Sequence, residues 1–269
     1  WRPAQASTCC QVLLRARPTR ANPRAMTKGS HSSGAPWRNF YGRIRGKTLR
    51  PTQKDHLEHD LDALSPGPVG WDVNPERAPL DLAARFGERP IWVEIGFGGG
   101  EHLAYRADLL PNHGFIGAEP FLNGVAQALV HVEEQRLANV RLHDGDALGG
   151  LSRIPDGALT MAYLLHPDPW PKARHAKRRM MNDGPVRMIA DKLKPGGEFR
   201  FGTDHPVYVR HALMVMRRFT DPETGPFEWV VDSPASFQRR PSGWCETRYE
   251  KKAREQMGHE VWYFRYRRR

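Results

Sequence analysis

Fourteen residues, His166 through Arg179, hold the densest chemistry in the chain: His166-Pro167-Asp168-Pro169-Trp170-Pro171-Lys172-Ala173-Arg174-His175-Ala176-Lys177-Arg178-Arg179. Pro167, Pro169 and Pro171 forbid a helix or a continued ladder, so the chain must leave the preceding apolar run, 159–165, as a stiff loop. That loop carries one acid, one large flat ring and then five cations: Lys172, Arg174, Lys177, Arg178 and Arg179. An acid held rigidly beside a ring and a basic run suits a nucleobase on a phosphate backbone. A lone basic run would read as a solvated turn; the prolines and the Asp168–Trp170 pair at a strand's end favour a site. Trp170 either stacks on a base or packs beneath the loop. His175 contacts phosphate or caps the loop, and no proton transfer is assigned to it.

A second constellation joins the first strand to a helix: Val93-Glu94-Ile95-Gly96-Phe97-Gly98-Gly99-Gly100. Glycines let the backbone turn tightly and approach a ligand. No Gly-Lys-Ser/Thr follows, which excludes a phosphate loop. Glu94, ahead of the glycines, would repel a pyrophosphate and favour a cationic ligand such as S-adenosylmethionine. Glu119 ends the second strand and can accept from both ribose hydroxyls, as an acid there does in dinucleotide folds. Asp146 follows the third strand, placed for the adenine edge or the loop around it, with Asp144 as its competitor. Each acid alone would read as a helix cap or a surface charge; three closing successive strands form a stronger pattern. Asp168 and Asp204 close the next two strands, and carboxylates, which only accept, suit the N–H donors of guanine. The stretch 245–254 is mixed in charge and helical at its end.

These positions require an alternating framework. Strands are predicted over 91–95, 115–118, 140–143, 159–165, 198–201, 227–231 and 262–266. Helices are predicted over 100–110, 122–137, 183–193 and 207–219, with shorter ones at 52–64 and 80–86. The helix at 183–193 ends in Lys194-Pro195-Gly196-Gly197. Such alternation gives an α/β fold with a doubly wound parallel sheet.

The 269 residues carry a formal charge of +11. Residues 1–50 hold eleven Lys and Arg and no acid, which leaves the remaining 219 with thirty of each sign. A neutral body with a basic arm and basic loops suits a polyanion met at particular places. Residues 1–36 lack periodicity and read as a disordered basic leader. The chain opens on Trp1 and Met26 offers a start, so 1–25 read as upstream sequence, with a mitochondrial transit peptide as the alternative. Residues 37–90 form an arm and short helices. Trp37, Phe40 and Tyr41 among its cations suit nucleic acid or a strap packed on the body. Residues 91–269 form the α/β domain. No apolar run reaches the roughly 18 residues of a membrane helix. Cys9, Cys10 and Cys245 show neither metal spacing nor a disulfide framework, as in a reducing compartment.

From about Trp37 onward the chain resembles the bacterial tRNA (guanine-N7)-methyltransferases. The likeness rests on Glu94-Ile95-Gly96-Phe97-Gly98-Gly99-Gly100, Gly117-Ala118-Glu119, Pro167 through Lys172, Arg174 through Arg179, Thr203-Asp204 and Thr247-Arg248-Tyr249-Glu250. It implies a Rossmann-like class I methyltransferase fold, a doubly wound, mostly parallel sheet with an antiparallel C-terminal strand. The implied reaction is methyl transfer from S-adenosylmethionine, without a metal, to a variable-loop guanosine of tRNA, position 46. By motif, Glu94, Gly96, Gly98, Glu119, Asp146 and Asp168 match the cofactor contacts, and Asp168 the active-site residue. Lys172, Asp204, Thr247, Arg248, Tyr249 and Glu250 match the substrate contacts. Arg174, His175, Lys177, Arg178 and Arg179 match the RNA-interacting run. The resemblance implies a cytoplasmic location; no obligate protein partner is inferred, and monomer and homodimer stay open. His166 departs from the family, which usually has an aromatic residue there. The competing classes are a methyltransferase for protein or small molecules and a catalytically silent RNA-binding module.

Overall fold

The computed structural model describes residues 42–256, 258 and 260–269. The leader and Trp37, Phe40 and Tyr41 lie outside them. Two short helices come first, α1 (Pro51–His59) and α2 (Leu82–Phe86). Strands and helices then alternate: β1 (Ile91–Ile95), α3 (Glu101–Leu109), β2 (Gly114–Ala118), α4 (Leu122–Glu134), β3 (Val140–His143), α5 (Ala147–Leu151) and β4 (Leu159–Leu165). After the loop come α6 (Asp183–Lys192), β5 (Leu193–Thr203), α7 (Pro206–Phe219), β6 (Phe227–Trp229), α8 (Arg248–Gln256) and β7 (Trp262–Arg268).

One seven-stranded sheet has the order β3-β2-β1-β4-β5-β7-β6. Its first five strands are mutually parallel, and β7 runs antiparallel to both β5 and β6. This is the Rossmann-like methyltransferase architecture expected above. Side chains alternate between faces with the period of two that a strand imposes. Trp92, Phe115, Leu142, Met161 and Tyr163 face the core with α3 and α4. Val93, Ile116, Ala162, Leu164, Phe199 and Phe201 face the core with α5, α6 and α7. Both faces are covered, so the parallel strands read as nearly continuous apolar runs.

Register levels the carboxyl edge. Ile95 stands opposite Ala118 and Leu164, Ala118 opposite His143, and Leu165 opposite Gly202. The ladder continues one residue further, with Gly96 N–H donating to Ala118 O at 2.8 Å, Glu119 N–H to His143 O at 3.0 Å and His166 N–H to Gly202 O at 2.8 Å. The residues that follow each strand therefore emerge side by side.

Three expectations need correction. The segment 194–197 does not merely end a helix: α6 stops at Lys192, and β5 already begins at Leu193. Leu193 pairs with Leu159, and the register then jumps to Met161 opposite Glu198, so Pro195, Gly196 and Gly197 form a bulge inside the strand. Helix α5 was not foreseen, because Gly149 and Gly150 weaken its helical pattern. Helices α1 and α4 end several residues early, at His59 and Glu134.

Candidate active site

The glycine loop leaves β1 with Gly96, Gly98 and Gly100 at φ of 70°, 60° and 83°. Gly98 holds a left-handed conformation that a side chain would strain, and its N–H donates to Glu119 Oε2 at 2.9 Å. The other oxygen, Oε1, accepts from Phe121 N–H at 2.9 Å. A Cβ at Gly124 would lie 2.1 Å from Gly98 O, so the loop seats on the first turn of α4 because that position is bare. A Cβ at Gly96 would meet nothing within 4 Å, which marks the loop's open side. Burial pushes the Glu119 carboxyl above the ordinary glutamate range. The N–H groups of Phe121 and Gly98 pull it back, Asp168 adds to the rise, and Arg248 opposes it.

Glu94 lies beneath this loop and is buried. Its Oε2 is 2.8 Å from His102 Nδ1 on the first turn of α3. The His102 ring meets Tyr163 and Trp244 edge to face, at 4.8 and 5.8 Å. Cys245 is held in the same electrostatic field: burial, then Glu94, pushes its thiol up to about 12. At the end of β3, Asp144 and Asp146 are both half-buried, and both act on the half-buried His143 ring.

The Pro-rich loop is bracketed by two left-handed residues, His166 at φ 47° and Trp170 at φ 44°. Each such conformation costs on the order of 1–3 kcal/mol and persists only where the surroundings impose it. Arg179 imposes this one. It is buried, and it donates from Nε to Pro169 O and from Nη2 to Trp170 O, both at 2.9 Å. The resemblance put Arg179 in the RNA-interacting run, whereas its buried side chain acts here as an internal brace. Lys172, Arg174 and Lys177 are exposed, on or beside a 3-10 turn over Ala173–Arg178, with His175 and Arg178 half-buried. Desolvation, then Arg178, Arg174 and Lys172, holds His175 below the ordinary histidine range. Trp170 packs within the loop, edge-on to His175 at 5.8 Å with the Arg178 guanidinium 4.8 Å over its face. Asp168 is exposed.

The start of α8 bridges the two loops. The Tyr249 ring lies 3.0 Å from where a Cβ on Gly98 would stand, and it faces the His166 ring at 6.5 Å. Arg248 Nη2 donates to the Tyr249 hydroxyl at 3.2 Å, and its Nε lies 3.5 Å from Glu101 Oε1. Asp204 Oδ1 is 3.6 Å from His166 Nδ1. Thr247 and Glu250 turn inward instead. Thr247 Oγ1 accepts from Glu250 N–H at 3.2 Å, and the Glu250 carboxylate accepts from Arg240 Nε at 2.8 Å, Arg254 Nη2 at 2.7 Å and the Tyr263 hydroxyl. Sequence reasoning missed His102, Glu101 and His166 as members of this site. Only His166 carried a signal, as a departure within a recognisable motif.

The rim thus gathers Glu119, Asp168, Asp204, Arg248 and Tyr249 around a bare glycine turn. A family model described as "Putative methyltransferase" matches residues 88–263. A tRNA (guanine-N(7)-)-methyltransferase of Erythrobacter litoralis is 68% identical over 86% of this chain and 94% of its own length. Relatives of the same name from Novosphingobium aromaticivorans and Sphingopyxis alaskensis are 59% and 60% identical, each over 89% of this chain and 99% of theirs. The chain belongs to the tRNA (guanine-N7)-methyltransferase family.

The residues present fit S-adenosylmethionine. A buried acid, Glu94, and a rim acid, Glu119, suit a ligand with an ammonium and a ribose. The bare face at Gly96 leaves room for a ligand to approach the backbone.

Proposed function

We propose that this chain transfers a methyl group from S-adenosylmethionine to N7 of a guanosine in tRNA, the variable-loop guanosine at position 46, in the cytoplasm. The observation that carries the reading is that Glu119 and Asp168 follow two strand ends on one edge of the sheet, beside a glycine turn covered by Tyr249.

S-adenosylmethionine supplies an electrophilic methyl group. Guanine N7 holds a free lone pair on its major-groove edge and needs no prior deprotonation. The protein's task is then to bring the two together in line at near-attack distance. Glu119 already has both oxygens fixed by backbone N–H groups, and each keeps a lone pair for a ribose hydroxyl. Glu94 offers its charge to the ammonium end. Asp144 or Asp146 stands at the adenine end. Asp168, exposed on a loop locked by Arg179, orients guanine and stabilises the positive charge that develops on it.

The tRNA backbone has two basic tracks. One is Lys172, Arg174 and Lys177 on the 3-10 turn, with His175 and Arg178 behind them. The other is the arm at 42–50. Its backbone is tied to the start of α4: Leu122 N–H donates to Ile44 O at 2.9 Å, Gly46 N–H to Asn123 Oδ1 at 2.7 Å, and Asn123 Nδ2 to Lys47 O at 2.7 Å. Arg43, Arg45, Lys47 and Arg50 all stand exposed there.

The test is incubation with labelled S-adenosylmethionine and unmodified tRNA, followed by nucleoside analysis and mapping of the modified position. The expected product is 7-methylguanosine at the variable loop. Asp168→Ala should lose methyl transfer by roughly a hundredfold or more while keeping tRNA affinity. Label appearing in protein or in another nucleoside would reject the reading.

A further inference from the structure

We propose that His166 and Tyr249 are the two jaws of a slot that takes the target guanine as a flat ring between them. The proposal rests on the guanosine reading above and names the residue pair that would hold the base.

The two rings face each other with 21° between their planes and 6.5 Å between their centroids. That lies near the far limit, about 7 Å, for a direct aromatic pair. Bases in a nucleic-acid strand stack at intervals of about 3.4 Å, so one base between two rings needs two such intervals, or about 7 Å. The centroid separation is an upper bound on the gap between the planes, so at rest the rings form a direct pair, and a base enters between them as Tyr249 moves outward.

The surroundings point the same way. Tyr249 lies against Gly98, so one jaw stands beside the cofactor loop. His166 is two residues from Asp168, so the other stands beside the loop's acid. Asp204 Oδ1, 3.6 Å from His166 Nδ1, puts a carboxylate at that end of the slot. A carboxylate accepts, and guanine offers N1–H and N2–H donors along one edge, so acid and base edge are complementary.

The His166 side chain is 5% exposed, and among the described residues its buried Nδ1 has no hydrogen-bond partner. Its backbone holds φ 47°. An unpaired buried nitrogen and a left-handed backbone both act against stability. A residue that carries both is accounted for if the position of its ring matters. Tyr249 is the jaw that gives way: it is 44% exposed, sits on the first turn of α8, and is held from outside by Arg248.

The experiment compares wild type, His166→Phe and His166→Ala with tRNA carrying 2-aminopurine at the target position and, separately, with natural tRNA. Stacking in the slot should quench 2-aminopurine fluorescence in wild type and His166→Phe but not in His166→Ala. On natural tRNA, His166→Ala should lose roughly 5- to 100-fold in kcat/KM, whereas His166→Phe, which keeps a flat ring, stays within about threefold of wild type. S-adenosylmethionine affinity by calorimetry should be the same in all three. Three results would overturn the slot: His166→Ala as active as wild type, both variants equally impaired, or activity lost together with cofactor affinity. The last would make His166 a brace for the loop. A wild-type protein that makes no 7-methylguanosine would instead sink the functional reading, while one that makes it without quenching sinks the slot alone.

Discussion

Glu94 Oε2 and His102 Nδ1 lie 2.8 Å apart in a pocket where each side chain is at most 5% exposed. The pair joins the end of β1 to the first turn of α3, directly under the glycine loop. An acid expected to face a cationic ligand is therefore held by a neighbour before any ligand arrives. The Tyr163 and Trp244 rings wall the imidazole in, so it has little freedom to swing away.

His102→Ala should be felt in two measurements. It removes a hydrogen bond to a buried carboxylate, a loss of about 1.5–3 kcal/mol that urea unfolding would register. It also frees Glu94 to reorient, and S-adenosylmethionine affinity by calorimetry should fall roughly tenfold, which corresponds to about 1.4 kcal/mol. Unchanged affinity would separate Glu94 from the donor's ammonium group.

Glu119 uses both carboxylate oxygens to hold backbone N–H groups, one on the glycine loop and one at Phe121. Glu119→Gln keeps the shape but has one acceptor oxygen. It should lower stability by about 1–3 kcal/mol and weaken cofactor binding. Because burial raises the carboxyl, wild-type affinity should decline on acidification at a higher pH than an ordinary glutamate would cause. Calorimetry across a pH series checks this; Glu119→Gln should lack that part of the decline.

The basic run divides by role. Arg174→Ala and Lys177→Ala remove exposed cations, so tRNA binding should weaken and each should reduce the salt slope by about 1. Arg179→Ala removes the clip on Pro169 O and Trp170 O. Its main expected effect is lost turnover, as Asp168 is no longer held in place, with a salt slope close to wild type. Filter binding over a salt series, beside turnover, distinguishes the two. A slope change at Arg179 equal to that at Arg174 would contradict its role as a brace.

A pH effect on folding should come from β5. Glu198 pairs with Arg200 at 2.9 Å and Arg265 at 3.3 Å across the β5–β7 ladder. Burial tends to raise its carboxyl, but Arg200 and then Arg265 outweigh that and hold it below the ordinary glutamate range. A carboxyl lowered in the folded state stabilises above its unfolded value, and the contribution is lost as pH falls through the lowered one. Glu198→Gln should lower stability by about 1–2 kcal/mol near neutral pH and have less effect in acid. Thermal unfolding of both proteins at several pH values tests it.

Much of this architecture was legible because its signals are local. Apolar runs of strand length, Gly and Pro at the ends, and acids just past the strands lie within a few residues of one another. Those short patterns place Glu119, Asp168 and Asp204 on one edge without reference to distant parts of the chain. The bulge in β5 was not legible: Pro195, Gly196 and Gly197 look like an ordinary helix stop. Only pairing with β4 shows that the strand resumes around them. Arg179 was misread for a similar reason. Within a run of cations nothing marks the one that turns inward, and its partners are carbonyls, which every residue has.

The sequence alone thus determined the order of the strands and of every helix but α5, the acid at each strand end, and the family to which the motifs point. Each follows from periodicity and backbone preference over a short span. Tertiary structure alone decided that Arg179 and Glu250 face inward, that His102 holds Glu94, and that Tyr249 crosses from α8 to face His166. Those contacts join residues whose separation along the chain carries no record of their distance in space. Strand register and helix packing had to bring them together first.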